Sequence, residues 1–181
     1  MLNMHDIMLR LAARHPTVGS RDDLARHLAR TIYEHFDVGR IEALPRSEAQ
    51  ADGMDIRIER GGAITAMRLT VATAGGDSDG ARVRLWRGIE AVERWLLDGA
   101  CDLGYVIDLT DDATLWAASG RPAASEPTFD IGNGHHFRGA RRLDDDDAVV
   151  ARNDYLFRWQ LYARLVGGRE WRYLVVRVDA D

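Results

Sequence analysis

The stretch "MDIRIERGGAITAMRLTVAT", Met54 to Thr73, holds the residues best placed to do chemistry. Met54, Ile56 and Ile58 alternate with Asp55, Arg57 and Glu59, the period of a strand. Gly61-Gly62 suits a hairpin turn, and Ile64 to Thr73 makes the partner strand. Asp55 thus stands near the head of one strand. Arg68 and Thr70 share one face of the next, with Met67, Leu69 and Val71 on the other. A carboxylate there is a ligand or a base unless a cation claims it. Arg68 is a permanent cation and a poor proton acceptor. An Asp55–Arg68 ion pair across the hairpin is the expected arrangement.

Other chemistry-bearing residues read as structural. His135 and His136 are adjacent, and neighbours on a strand point to opposite faces, so they suit a turn better than one ion. Asp144 to Asp147 read as a solvated loop without calcium-loop spacing. Asp108, Asp111 and Asp112 follow a strand where α/β ligand sites often sit, but capping and turn roles are expected. Ser119, Ser125 and the lone Cys101 lie in no nucleophile motif, and Cys101 reads as a small core residue. Trp86, Trp95 and Trp116 read as packing residues. Arg82, Arg84 and Arg87 are expected to open a helix, where their charge works against its dipole and favours an anion or acidic partner nearby. Arg138, Arg141 and Arg142 form a second basic cluster.

The chain has 181 residues, and all 24 of its basic residues are arginine. Without lysine, Schiff-base chemistry and P-loop nucleotide hydrolysis are excluded. The net charge of −5 argues against nucleic-acid binding by bulk charge, though not against a local basic face. One cysteine cannot make an internal disulfide or a thiolate metal cluster. No apolar run approaches the roughly 20 residues of a membrane helix. The opening "MLNMHDIMLRLAARH" suits an amphipathic helix, through Leu2, Ile7, Leu9 and Leu11, better than a secretory signal. A single domain over 1–181, in the cytoplasm and with no membrane partner, is expected.

The positioning elements follow from periodicity. Ser20 to Phe36 is a helix capped by Ser20, with Leu24, Leu28, Ile32 and Phe36 on one stripe. Val38 to Leu44 is a short strand, and "RSEAQADG" a polar connection. "AGGDSDGA" is a loop. Val83 to Asp98 is a helix with Leu85, Ile89, Val92 and Leu96 inside. Gly104 to Leu109 is a central strand, and Thr110 or Asp111 caps a short turn of helix. Gly120 to Glu126 and Leu143 to Ala148 read as loops, with short strands at Thr128 to Ile131 and His136-Phe137. A closing hairpin turns at Gly167-Gly168. With Val166 opposite Arg169, Arg158 faces Arg177, Tyr162 faces Tyr173 and Arg164 faces Trp171, on a face that wants acidic neighbours, solvent or an anionic partner. Phe157, Trp159 and Leu161 then face the core. The hairpin's edge would suit a homodimer.

The order helix, strand, hairpin, helix, strand over about 20–110 resembles the αβββαβ core of the restriction-endonuclease-like, PD-(D/E)xK superfamily. The fold class is α/β (α+β), a mixed sheet with a C-terminal β extension over about 127–179. "GYVIDLTDDATLW" and the ending "WRYLVVRV" resemble a bacterial lineage of that superfamily. Its second hairpin strand reads like "AIELKYKT", where this chain has "AMRLTVAT". Asp55 matches the first motif aspartate. Arg68 stands at the acid's place and Thr70 at the lysine's.

In that family two carboxylates hold a divalent cation that activates water. A +1 charge about 5 Å from a +2 ion repels it by on the order of 6 kcal/mol at an effective dielectric near 20. The resemblance therefore implies a nuclease fold that has lost hydrolysis and serves as a binding or structural module, with no cofactor and a nucleic-acid or protein partner. Arg158, Arg177, Arg164, Arg82 and Arg84 are the candidate contacts. The alternatives are an active Mg- or Mn-dependent nuclease, using Asp55 with Glu34 or Glu42 as ligands and Arg68 as a charge stabiliser, and an unrelated α/β interaction domain.

Overall fold

A computed structural model describes residues 2–44, 53–117, 129–138, 141–142 and 149–179. Helix α1 (Met4–Arg14) buries Met4, Ile7, Met8 and Leu11. Leu9, expected inside, is exposed, because the buried stripe runs through the i, i+3, i+4 positions that exclude it. Helix α2 (Arg21–His35) starts where expected, and the Ser20 hydroxyl accepts the Asp23 N–H at 3.1 Å. Strands β1 (Arg40–Ala43), β2 (Ile56–Arg60) and β3 (Ala63–Ala72) form an antiparallel meander. The β2–β3 turn is Gly61-Gly62, both at positive φ, which is why glycine is needed there.

Helix α3 (Ser78–Leu97) begins five residues earlier than the periodicity suggests. The Asp77 side chain caps it by accepting the Gly80 N–H at 2.8 Å. A Cβ on Gly80 would lie 1.9 Å from Asp77 Oδ2, so this glycine admits the cap instead of marking a loop. Arg82, Arg84 and Arg87 consequently lie beyond the first turn, where Asp79 already suits the dipole.

Strand β4 (Leu103–Thr110) pairs parallel to β3. The short helix α4 (Ala113–Trp116) is capped by Asp112, not by Thr110 or Asp111. Two small ladders follow: β5 (His136–Phe137) with β8 (Tyr155–Leu156), and β6 (Arg141–Arg142) with β7 (Val150–Ala151). Phe129 to Ile131 do not form the expected strand. Strands β9 (Gln160–Arg164) and β10 (Glu170–Asp179) complete the main sheet. The readings for residues 46–52, Ser119, Gly120 to Glu126 with Ser125, Thr128, and Leu143 to Ala148 with Asp144 to Asp147 lie outside the described residues.

The protein is mixed α/β, with four helices among the described residues and a mixed six-stranded sheet ordered β1-β2-β3-β4-β10-β9. No described helix is long and apolar enough to cross a membrane. Helices α1 and α2 cover one face, over Ile56, Ile58, Met67, Leu69, Tyr105 and Ile107. Helix α3 and the C-terminal segments cover the other, around Trp86, Val106, Phe157, Trp159 and Leu174. Glu93 ties these segments to α3 by accepting the Arg152 N–H at 2.9 Å and the Tyr155 hydroxyl at 2.5 Å.

The closing hairpin departs from the expected register. Its turn holds three residues, since the Leu165 N–H donates to the Arg169 carbonyl at 2.9 Å. Arg164 thus pairs with Glu170 instead of Trp171, and a bulge adds a second slip, so Tyr173 pairs with Gln160 instead of Tyr162. Strand β9 begins at Gln160, so Arg158 does not face Arg177. Phe157 and Trp159 leave the ladder and fill the α3-side core, while Leu161 is exposed.

Candidate functional site

Helix and strand spacing bring the polar residues together. α3 runs back along β3 and β4, advancing about 6 Å per four residues while a strand advances about 6.6 Å per two. Added Cβ atoms on two glycines show the meshing. On Gly104 it would meet Val92 at 2.0 Å, and on Gly88 it would meet Arg68 Cγ and Val106 at 3.2 Å. One helical turn further, Arg84 falls over the next pair on that face, Thr70 beside Asp108. Arg68 and Thr70 do share the α3 face, as their alternation requires.

An open cleft of about 310 Å³ lies at this end of the sheet. It is lined by Ser20, Arg21 and Asp22 from the start of α2, Leu69 to Val71 from β3, and Arg84 from α3. Arg84 is exposed and forms no ion pair among the described residues.

Two buried aspartates flank the cleft's strand. Asp55, just before β2, is only 1 % exposed. Its Oδ2 accepts the Leu69 N–H at 2.7 Å, and its Oδ1 lies 3.4 Å from the Arg21 guanidinium. Arg68, 7 % exposed, donates from Nη1 to the Gly53 carbonyl at 2.6 Å. A guanidinium does reach the Asp55 carboxylate, that of Arg21 at the start of the preceding helix.

Asp108 is as deeply buried, at 1 %. It stands between Thr70 on β3 and Leu174 on β10. Burial pushes its carboxyl up to about 7, against the opposing pull of the Thr70 hydroxyl, the Leu109 N–H and Arg84. Burial outweighs that pull, and neither carboxyl oxygen nor the Thr70 hydroxyl makes a well-aligned hydrogen bond among the described residues. The expected capping role belongs to its neighbours. Asp112 caps α4 and accepts the Ser78 hydroxyl at 2.5 Å, and Asp111 accepts the Ala74 N–H at 2.7 Å and pairs with Arg169.

The remaining candidates lie apart. Glu34 is thirteen residues along α2 from Arg21, about 20 Å away along the axis. Arg30 and Arg14 hydrogen-bond it and hold its carboxyl down to about 2. Glu42 pairs with Arg40 at 2.5 Å. Arg82 pairs with Asp79 at 2.7 Å and also donates to the Thr114 carbonyl. Arg164 pairs with Glu170 at 2.8 Å, and Arg177 with Asp179 at 2.7 Å, beside Tyr105 and away from the cleft. Arg158 is exposed. His135 and His136 turn to different partners, Asp130 and Arg138. Cys101 is buried, and desolvation raises its thiol to about 11.

A divalent cation does not fit this donor set. Asp55 brings one carboxylate, with one oxygen on a backbone N–H and the other facing Arg21. Among the described residues no three His, Cys, Asp or Glu side chains cluster as ligands. What the cleft offers instead is the exposed Arg84 beside Thr70, with the buried Asp108 carboxyl behind Thr70. Comparison with family models, curated proteins and solved structures returns no match.

Proposed function

We propose that this chain is a restriction-endonuclease-like, PD-(D/E)xK-type domain that does not hydrolyse phosphodiesters and acts as a binding module for nucleic acid. One observation carries the reading. The motif aspartate, Asp55, is engaged by Arg21 and the Leu69 N–H, and the next motif position holds the buried Arg68. An arginine cannot replace a carboxylate as a ligand, and it repels the metal that water activation needs.

The fold class is supported by topology. Helix α2, the β1-β2-β3 meander and the α3 crossover to parallel β4 follow the αβββαβ order, with the strands adjacent in the sheet. Binding is supported by the cleft, where the exposed Arg84 presents a guanidinium group suited to phosphate oxygens. The net charge of −5 means such binding is local and modest.

Fluorescence anisotropy with a short DNA duplex tests this. Affinity should fall as salt rises and weaken on Arg84→Ala, with no strand nicking in Mg²⁺ or Mn²⁺. Salt-insensitive behaviour or no binding would remove the nucleic-acid reading, and nicking lost in Asp55→Ala would remove the non-hydrolytic one.

A further inference from the structure

We infer that the cleft takes up an oxyanion together with a proton, the anion going to Arg84 and the Thr70 hydroxyl and the proton to the Asp108 carboxylate behind them. This rests on the binding reading above and adds its regulation.

Three geometric facts carry it. Asp108 and Thr70 are lateral partners on the parallel β3–β4 pair, so they lie side by side on the face under α3. The Thr70 hydroxyl and both Asp108 oxygens are buried without a hydrogen-bond partner among the described residues. Thr70 and Arg84 line the open cleft, and Asp108 lies directly behind Thr70 in the sheet.

The groups facing Asp108 decide the coupling. β3 contributes Arg68 and Thr70, α3 contributes Arg84, and β10 contributes the apolar Leu174. An ionised Asp108 attracts Arg84 and repels an incoming anion. A protonated Asp108 leaves the Arg84 charge uncompensated and can donate its proton toward Thr70, freeing that hydroxyl to donate into the cleft. Anion binding and protonation therefore favour each other, and by linkage the effect is reciprocal. The balance is one proton moving from solvent to a carboxylate oxygen, with no bond broken in the ligand. A carboxyl that burial places at about 7 switches within the neutral range.

Sulfate is the suitable probe, because it stays a dianion throughout. Calorimetric titration of the full chain at pH 7, in two buffers of different ionisation enthalpy, should show net proton uptake on binding. Affinity should be about tenfold higher at pH 6 than at pH 8. Asp108→Asn, which mimics the neutral acid, should bind sulfate with no proton uptake and a flat pH dependence, and Arg84→Gln should lose binding at both pH values. No proton uptake by the unaltered chain, or the same pH slope in Asp108→Asn, would overturn the inference. Sulfate uptake as described without DNA binding would leave it standing and remove the nucleic-acid reading. DNA binding without sulfate uptake would do the reverse.

Discussion

Asp55 and Asp108 are equally buried, two strands apart in one sheet, and chemically opposite. Asp55 sits where β2 starts, at the margin of the sheet, within reach of an N–H that β2 leaves unpaired and of an arginine at a helix start. Asp108 sits mid-sheet, where backbone groups on both sides are used by neighbouring strands. One carboxylate is neutralised from outside, and the other is pushed toward taking a proton. Burial alone therefore says little about a carboxyl group. What matters is whether unpaired donors remain beside it, and in a sheet they remain at margins.

Breaking Asp55 should have the largest effect. Asp55→Ala leaves Arg21 without its buried partner and the Leu69 N–H unmet, so urea denaturation should show a loss of about 3–5 kcal/mol. Asp55→Asn keeps an acceptor for the N–H and should lose less. A loss below about 1 kcal/mol for the alanine would mean the pair does not hold this margin together.

Asp108→Asn should act in the other direction. The native carboxyl is raised to about 7 from an ordinary 3.8, so the folded state binds more protons than the unfolded state between those values. Stability accordingly falls as pH rises through that window, and the penalty is complete above pH 7. Asparagine removes it, so the variant should be more stable than the parent at pH 8, by about 1–3 kcal/mol, with the difference vanishing near pH 4. Equal melting curves at pH 8 would show that Asp108 has found a partner.

The packing that seats Arg68 can be sharpened by a double-mutant cycle. Gly88→Ala would press its methyl against Arg68 and Val106, each 3.2 Å from the added Cβ, and should cost about 1 kcal/mol. In an Arg68→Ala background much of that loss should disappear, a coupling of about 0.5 kcal/mol or more. Strict additivity would mean Arg68 does not lie under α3.

The smallest effect lies on the opposite face. His27 stacks on His15, with ring centroids 3.7 Å apart. Burial first, then His15 and Arg26, lowers the His27 pKa below its usual 6.5. The unfolded state then binds more protons, so this contact loses stability as pH falls through 6.5 and below. His27→Gln should flatten the melting curve's pH dependence there, by under about 1 kcal/mol.

The hairpin face pattern was legible in the sequence, because alternation is local and the Gly61-Gly62 turn fixes register. The start of α2 was legible for the same reason, through Ser20. Arg21 as the partner of Asp55 was not, since nothing in "SRDDL" says that this helix start points at the head of β2. Asp108 was hidden because its neighbours come from two non-local pairings and from Arg84, whose position depends on where α3 begins. Gly80 concealed that beginning by resembling loop residues while serving the Asp77 cap. In the closing hairpin a third turn residue and a bulge move the register, and alternation alone counts neither.

The proposed reading places guanidinium groups around Asp55 where a nuclease of that fold would hold a metal. Titrating the full chain with Mn²⁺, monitored by calorimetry, tests it most directly. That reading predicts no binding at millimolar metal in the parent chain, and saturable binding only when Arg68→Glu with Thr70→Lys introduces a carboxylate and a lysine. Saturable Mn²⁺ binding by the parent that disappears in Asp55→Ala would contradict it.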